Sequence, residues 1–158
     1  HTRLRTVTGV QTCALPISPT ARHQSLVAEM FRALDAHVRA SQLGRMWLAP
    51  LDVVLDQEQA LVVQPDLLFI SRDRSFLVSD RVWGAPDLVI EVLSPDPRIG
   101  DLHERVSWFA EYGVAEIWLV RQDRMTVEAL RCEGGRVADR RHFGRRDPIV
   151  SWVLPDFR

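Results

Sequence analysis

The chain contains no lysine: all 20 of its basic residues are arginine. Arginine stays protonated in proteins, so any mechanism in which a lysine exchanges a proton is excluded. The acidic residues number 21, which leaves a formal net charge of −1. The chain therefore lacks the overall basic character of many nucleic-acid-binding domains, although a local basic patch is compatible with a neutral whole.

Cysteine is scarce as well: the chain contains two, Cys13 and Cys132. Two cysteines are too few for a disulfide framework or for a zinc site of four cysteines, so a reducing cytoplasm is the expected location. No apolar run approaches the ~20 residues that a membrane-spanning helix needs. With 158 residues, of which 46% are apolar, the chain has the size and composition of one globular domain.

The first residues have no periodicity that predicts a helix or a strand. The stretch "VTGVQTCALPI" (Val7 to Ile17) resembles a translated sequencing adapter and lacks the charged start and long apolar centre of a secretory signal. We therefore expect residues 1–17 to be a non-native tail, residues 18–158 to be the domain, and the native N-terminus to be missing. A flexible natural N-terminus is the alternative.

A helical pattern is followed by strands. An apolar stripe with spacings of three and four residues predicts a helix from Pro19 to about Ser41, with Ser18 or Thr20 as its cap. The stretches "RMWLAPLDVVLD" and "ALVVQPDLLFI" predict two strands around the polar turn "DQEQ", and residues 71–85 are expected to form an irregular loop. The nearly continuous apolar run "PDLVIEVLS" predicts a strand that is buried on both faces.

A second helix is predicted from Asp101 to about Tyr112, where Asp101 and Glu104 form a capping-box-like start. Its buried stripe consists of Leu102, Val106 and Phe109. A strand in "VAEIWLV" and a meander of "MTVEALRC" and "RVADRRHF" follow. The order of helix, strands, helix and strands predicts an α/β domain with a mixed sheet flanked by helices.

Two acidic residues stand at unusual places in the predicted strands. Asp66 begins one apolar run after Pro65, and Glu91 lies in the middle of the next. If these strands are neighbours, the two carboxylates can face each other, and two close anions are costly to keep ionised. A divalent cation removes that cost, and Mg²⁺ prefers one or two carboxylates together with waters and substrate phosphate.

An ordered set of motifs extends from about His23 to Phe157. It comprises "PTARHQ", "VVQPDLLFI", "APDLVIEVLSP", the Asp and Arg of "DLHER", "GVAEIW" and "VLPDF". In this order and spacing the chain resembles the Uma-two-type family of restriction-endonuclease-like proteins, within the PD-(D/E)XK nuclease superfamily. The resemblance implies a restriction-endonuclease-like α/β fold, Mg²⁺ (or Mn²⁺) as the cofactor, and nucleic acid, DNA in the first place, as the partner.

The resemblance also implies a role for each matching residue. Asp66 and Glu91 correspond to the metal ligands, and the backbone carbonyl of Val92 to a third ligand. The family's lysine falls at Arg105, four residues after Asp101, and these two complete the implied catalytic set. Arginine can hold a phosphate in a fork, but unlike lysine it cannot exchange a proton with a water.

Each of these residues also has a structural interpretation. Asp66 could be an ordinary strand-entry residue, and Glu91 a buried ion-pair partner of Arg105. Arg105 could instead pair with Asp101 one turn earlier, where Asp101 could simply be a helix cap. Asp87, which follows Pro86, lies about 13 Å from Glu91 along one strand, so we interpret this second Pro-Asp pair as a decoy.

Two further features remain open from the sequence. His23, at the head of the first helix, is as compatible with capping or packing as with a role in the site. A cluster of arginines near the C-terminus is more typical of a solvated hairpin than of a DNA contact; its members are Arg136, Arg140, Arg141, Arg145 and Arg146.

The leading hypothesis for the function is a Mg²⁺-dependent endodeoxyribonuclease that hydrolyses phosphodiester bonds, with a homodimer as a possible assembly. The alternative is a catalytically degenerate nuclease-fold domain that binds nucleic acid or protein without cleavage. A third hypothesis is an interaction domain whose carboxylates form a structural network.

Overall fold

The structure is a computed structural model that describes residues 19–95 and 99–158, so the expected N-terminal tail lies outside the described residues. Its centre is a six-stranded sheet in the order β1 (Gly44–Leu48), β4 (Leu67–Ser71), β6 (Leu88–Leu93), β7 (Glu116–Arg121), β8 (Thr126–Glu133) and β9 (Arg136–Phe143). A second sheet has the order β3 (Leu61–Val63), β2 (Val53–Asp56) and β5 (Val82–Trp83).

The large sheet is mixed. β6 and β7 run parallel, and the other neighbouring pairs of this sheet are antiparallel. A parallel pair needs a crossover connection, and here α2 (Ile99–Glu111) provides it. The predicted α/β architecture with a mixed central sheet and flanking helices is confirmed.

The first helix, α1 (Ala21–Ala40), covers one face of the large sheet. Its cap is Thr20, one of the two expected residues, whose hydroxyl accepts the His23 backbone N–H at 3.2 Å. The predicted stripe is partly or wholly buried and belongs to one hydrophobic cluster with the inward side chains of five strands. Among them are Met46, Leu67, Ile90 and Trp118.

The opposite face of the large sheet is covered by α2 and by the small sheet. Phe109 of α2 is fully buried there, with Leu102 and Val106 packed beside it as predicted. Leu68 of β4 and Val89 of β6 point into this same layer. Strand β6 is buried along its whole length, which confirms the expectation for its continuous apolar run.

Two strand predictions are wrong in the same way. The stretch "RMWLAPLDVVLD" is split between β1 and β2, and "ALVVQPDLLFI" is split between β3 and β4, so each serves both sheets. A proline stands in each break, at Pro50 and Pro65. Proline cannot donate to a sheet ladder, so each apolar run is interrupted where the chain leaves one sheet for the other.

Two local expectations also need correction. Residues 71–85 contain a 3₁₀ helix (Arg72–Leu77) and strand β5, rather than only an irregular loop. Helix α2 begins at Ile99, so Asp101 lies inside the first turn and is not the cap. Residues 96–98, which precede this helix, lie outside the described residues.

Candidate active site

Asp66 and Glu91 face each other where the β4–β6 ladder ends. The paired register runs from Phe69 opposite Leu88 to Leu67 opposite Ile90, so the next step brings Asp66 opposite Glu91. Side chains alternate along a strand, and the residues two positions inward point toward α2. Both carboxylates therefore lie on the α2 face, at positions whose Cβ atoms are typically about 5 Å apart.

Pro65 explains how the ladder ends. The Asp66 carbonyl accepts the Ala49 N–H at 3.0 Å, so the backbone of Asp66 faces β1 and that of Pro65 faces β6, opposite Val92. Because proline has no N–H, the Val92 carbonyl receives no ladder bond from Pro65. The Val92 N–H donates instead to Asp66 Oδ2 at 2.7 Å.

The same geometry orients the Val92 carbonyl. The N–H and the C=O of a residue in an antiparallel ladder point to the same neighbouring strand. Since the Val92 N–H reaches the Asp66 side chain, its carbonyl is also directed toward β4, beyond the last paired residues. Three oxygen-bearing groups thus converge at this end of the sheet: the Asp66 and Glu91 carboxylates and the Val92 carbonyl.

Glu91 is a buried acid with a perturbed proton affinity. Its side chain is 12% exposed and forms an ion pair with Arg105. Burial, with a smaller contribution from the negative charge of Asp66, raises the pKa of Glu91 to about 7 against the opposing pull of the Arg105 charge. The carboxyl therefore titrates near neutral pH, and a further cation beside it favours its ionised form.

Arg105 approaches the site from α2. Its guanidinium donates to Glu91 Oε1 and lies 5.7 Å from the centre of the Phe109 ring, one turn further along the helix. The pairing with Asp101 that the sequence left open is not found: Asp101 is exposed and forms no ion pair with the described residues. Of the expected set, Asp66, Glu91, Val92 and Arg105 come together, whereas Asp101 stands apart from their contacts.

His23 contacts the site from the other helix. Its Nε2 lies 3.4 Å from Asp66 Oδ2, and its side chain is 14% exposed. Its Nδ1 is buried and has no hydrogen-bond partner among the described residues. The sequence left His23 open between capping and the site. No local spacing could reveal the contact with Asp66, which depends on how α1 packs across the sheet.

Asp87 has a different environment from Asp66. Its Oδ2 accepts the Ser71 N–H at 2.7 Å, and its Oδ1 pairs with Arg74 at 3.0 Å. Both carboxylate oxygens are thus engaged in fastening the 3₁₀ helix to the sheet. This is the structural role expected of the second Pro-Asp pair.

The donor set fits a magnesium ion better than a zinc ion. The described residues contain no group of three or more His, Cys, Asp and Glu side chains arranged to hold a metal. Zinc needs three or four such ligands, whereas Mg²⁺ is bound by one or two carboxylates, waters and phosphate oxygens. Asp66 and Glu91 are two such carboxylates, and a cation between them would offset the repulsion that raises the pKa of Glu91.

A cavity lies elsewhere on the molecule. A groove of about 780 Å³ at the far end of β1 and β4 is lined by residues that include Arg45, Trp47 and Arg72. None of the expected catalytic residues lines it. The convergence of carboxylates, rather than cavity size, marks the candidate site.

Comparison with known proteins gives both the fold and the family of this chain. A crystal structure described as "a putative nuclease belonging to DUF820", from Anabaena variabilis, is similar with a TM-score of 0.65 and 21% identity, over 88% of this chain and 75% of that one. At this identity the likeness shows the fold. No curated protein matches the chain. The model of the family described as "Putative restriction endonuclease" matches residues 12–158. The chain therefore belongs to that family, the Uma-two family, as the motifs predicted.

No helix in the described part of the chain is long and apolar enough to cross a membrane.

Proposed function

We propose that this protein is a Mg²⁺-dependent endodeoxyribonuclease of the cytoplasm, with residues 18–158 as its catalytic domain. The observation that carries the proposal is the opposition of Asp66 and Glu91 at the end of the β4–β6 ladder, with the Val92 carbonyl directed to the same place. Family membership supports phosphodiester hydrolysis, and the oxygen donors support a hard divalent cation. DNA is the proposed substrate, and a homodimer is the proposed assembly.

Each residue has a distinct part in the proposed reaction. Asp66 and Glu91 would hold the cation through their carboxylates, and Val92 would hold it through its carbonyl. When bound, Mg²⁺ lowers the pKa of a water and stabilises negative charge on the phosphodiester. Arg105 binds a phosphate oxygen through its fork of N–H donors, because it cannot accept or release a proton. His23 keeps the Asp66 side chain in place through its contact with Oδ2.

Plasmid cleavage in the presence of Mg²⁺ or Mn²⁺ tests this proposal. The wild-type protein is expected to convert supercoiled plasmid, whereas Asp66→Asn and Glu91→Gln are expected to be inactive. Asp87→Asn is the matched control, because Asp87 also follows a proline at the head of a strand but contacts Arg74 instead. A wild-type protein that binds the metal yet cuts neither DNA nor RNA would exclude the nuclease proposal.

A second function has one observation in its favour. The chain has arginine where the family's lysine is expected, and this arginine is committed to Glu91. An arginine that is held by Glu91 is compatible with a nuclease fold that binds nucleic acid or protein without cleavage. Gel-shift measurements with DNA in EDTA distinguish the two, since the degenerate domain is expected to bind without metal and never to cut.

A further inference from the structure

The site already contains one cation of its own. Arg105 and Glu91 are 14% and 12% exposed in their side chains, so this ion pair is largely withdrawn from water. Within the described residues no other arginine contacts the Asp66 and Glu91 carboxylates, while Asp66 is also within reach of His23. The positive charge that offsets the buried Glu91 is therefore supplied by α2.

This ion pair has a consequence for metal binding. A divalent cation and a guanidinium that share one carboxylate repel each other, and the repulsion is strong where water is excluded. Oε1 of Glu91 also accepts an N–H donor from Arg105, which uses one of the four oxygens of the two carboxylates. A metal ion that binds there has to overcome both the charge and the hydrogen bond of Arg105.

We propose that Arg105 is a built-in competitor of the metal ion, which holds Glu91 in the metal-free protein and leaves it when a divalent cation binds. The proposal rests on the function proposed above and adds its regulation. Once released, the guanidinium is free to bind a phosphate of the nucleic acid. Metal and nucleic acid then assist each other, because phosphate gives Arg105 a new partner and coupling between two ligands is reciprocal.

The side chain is suited to such an exchange. The guanidinium, which contacts Glu91 and lies 5.7 Å from the centre of the Phe109 ring, stands at the end of a flexible stem that begins on α2. Rotations near the end of the side chain can therefore move the charge without moving the helix. Carboxylate and phosphate present similar pairs of oxygens to this planar fork, so Arg105 can exchange one for the other.

Calorimetric titration with Mn²⁺ tests the competition without any measurement of cleavage. Arg105→Gln removes the charge and is expected to tighten Mn²⁺ binding by at least about 5-fold, which corresponds to about 1 kcal/mol. Arg74→Gln is the matched control, because Arg74 forms an ion pair of the same kind with Asp87 outside the site, and its Mn²⁺ affinity is expected to equal that of the wild type. Unchanged or weaker binding by a folded Arg105→Gln overturns the proposal.

The loss of Arg105 leaves the buried Glu91 without its partner, and the variant can be unstable without metal. The melting temperature with and without Mn²⁺ is therefore the second measurement. Saturating Mn²⁺ is expected to raise the melting temperature of Arg105→Gln, and of the longer apolar substitute Arg105→Met, by more than it raises that of the wild type. An equal or smaller rise overturns the competition, as does a variant that remains unfolded in Mn²⁺.

Two results separate this inference from the function on which it rests. If neither the wild type nor Arg105→Gln binds Mn²⁺, the proposed metal site fails and the competition fails with it. If the wild type binds Mn²⁺ and Asp66→Asn does not, while Arg105→Gln binds like the wild type, the metal site stands and the competition alone is wrong.

Discussion

The carboxylate of Asp66 accepts the backbone N–H of Val92 at 2.7 Å, where a sheet hydrogen bond would otherwise continue the β4–β6 ladder. Pro65 and Asp66 thus act as a unit. The proline has no N–H to donate to β6, and the aspartate carboxylate accepts the N–H of Val92. The second Pro-Asp pair has a different role, since Asp87 accepts the Ser71 backbone N–H and forms an ion pair with Arg74.

Asp66→Asn and Glu91→Gln are expected to weaken Mg²⁺ or Mn²⁺ binding by at least about 10-fold each, because each removes a charged oxygen ligand. Calorimetric titration measures the effect. Asp87→Asn should leave the affinity unchanged. An equal loss in Asp87→Asn and Asp66→Asn would show that the wrong Pro-Asp pair has been assigned.

Arg105 variants are expected to separate metal affinity from cleavage. Arg105→Ala should lower metal-dependent cleavage at least about 10-fold, about 1.4 kcal/mol of barrier, because the phosphate loses its partner. Arg105→Lys should keep or raise the rate, since lysine keeps the charge and can also exchange a proton. Initial rates of plasmid nicking measure both. A rate unchanged in Arg105→Ala would make Arg105 a structural partner of Glu91 alone.

The raised pKa of Glu91 predicts how metal-free stability varies with pH. The ordinary pKa of a glutamate is 4.5, and that of Glu91 in the folded protein is about 7, so between these values the folded protein binds more protons than the unfolded one. The free energy of unfolding therefore falls as pH rises through this window. In EDTA, urea melts at about pH 5 and about pH 8 should show a larger loss for wild type than for Glu91→Gln, by on the order of 2 kcal/mol.

Saturating Mg²⁺ should reduce that loss in the wild type, because the ion stabilises the ionised carboxylate. Glu91→Gln has no titrating group at this position and should gain little from the ion. Identical pH dependence of the wild type and Glu91→Gln in EDTA would show that Glu91 does not titrate in this window.

Glu116 is expected to be a strong contributor to stability. It is fully buried at the start of β7, and its carboxylate accepts four hydrogen bonds. Their donors are Trp118 Nε1 at 2.6 Å, Ser151 Oγ at 2.7 Å, and the backbone N–H groups of Trp152 at 2.9 Å and Val153 at 3.0 Å. Glu116→Gln places an amide donor against at least one of these donors and should cost at least about 2 kcal/mol.

Urea denaturation measures the loss. Glu128→Gln is the matched control: Glu128 pairs with Arg140 at the exposed hairpin, where a surface ion pair contributes less than about 1 kcal/mol. Similar losses in the two variants would contradict the role of Glu116 in fastening the C-terminal segment.

Deletion of residues 1–17 is expected to leave the melting temperature nearly unchanged, because an adapter-like segment without periodicity has no face to bury. The segment lies outside the described residues, and a thermal melt of the shortened chain checks the expectation. A loss of several degrees would show that the segment packs on the domain.

The sequence by itself determined the class of fold and the identity of the candidate residues. Periodicity is local information, so α1, the buried run of β6, and the strands β7 to β9 could be predicted from it. The motif order predicted the family, and the environment of Asp87 agrees with its predicted role as a decoy.

Only the tertiary structure decided how those residues meet. Whether an apolar run serves one sheet or two depends on partners distant in the chain, which is why the strands broken at Pro50 and Pro65 were predicted whole. The contact of His23 with Asp66 and the choice of Glu91 over Asp101 by Arg105 are likewise long-range. They follow from the packing of two helices against opposite faces of one sheet, and no spacing along the chain encodes that packing.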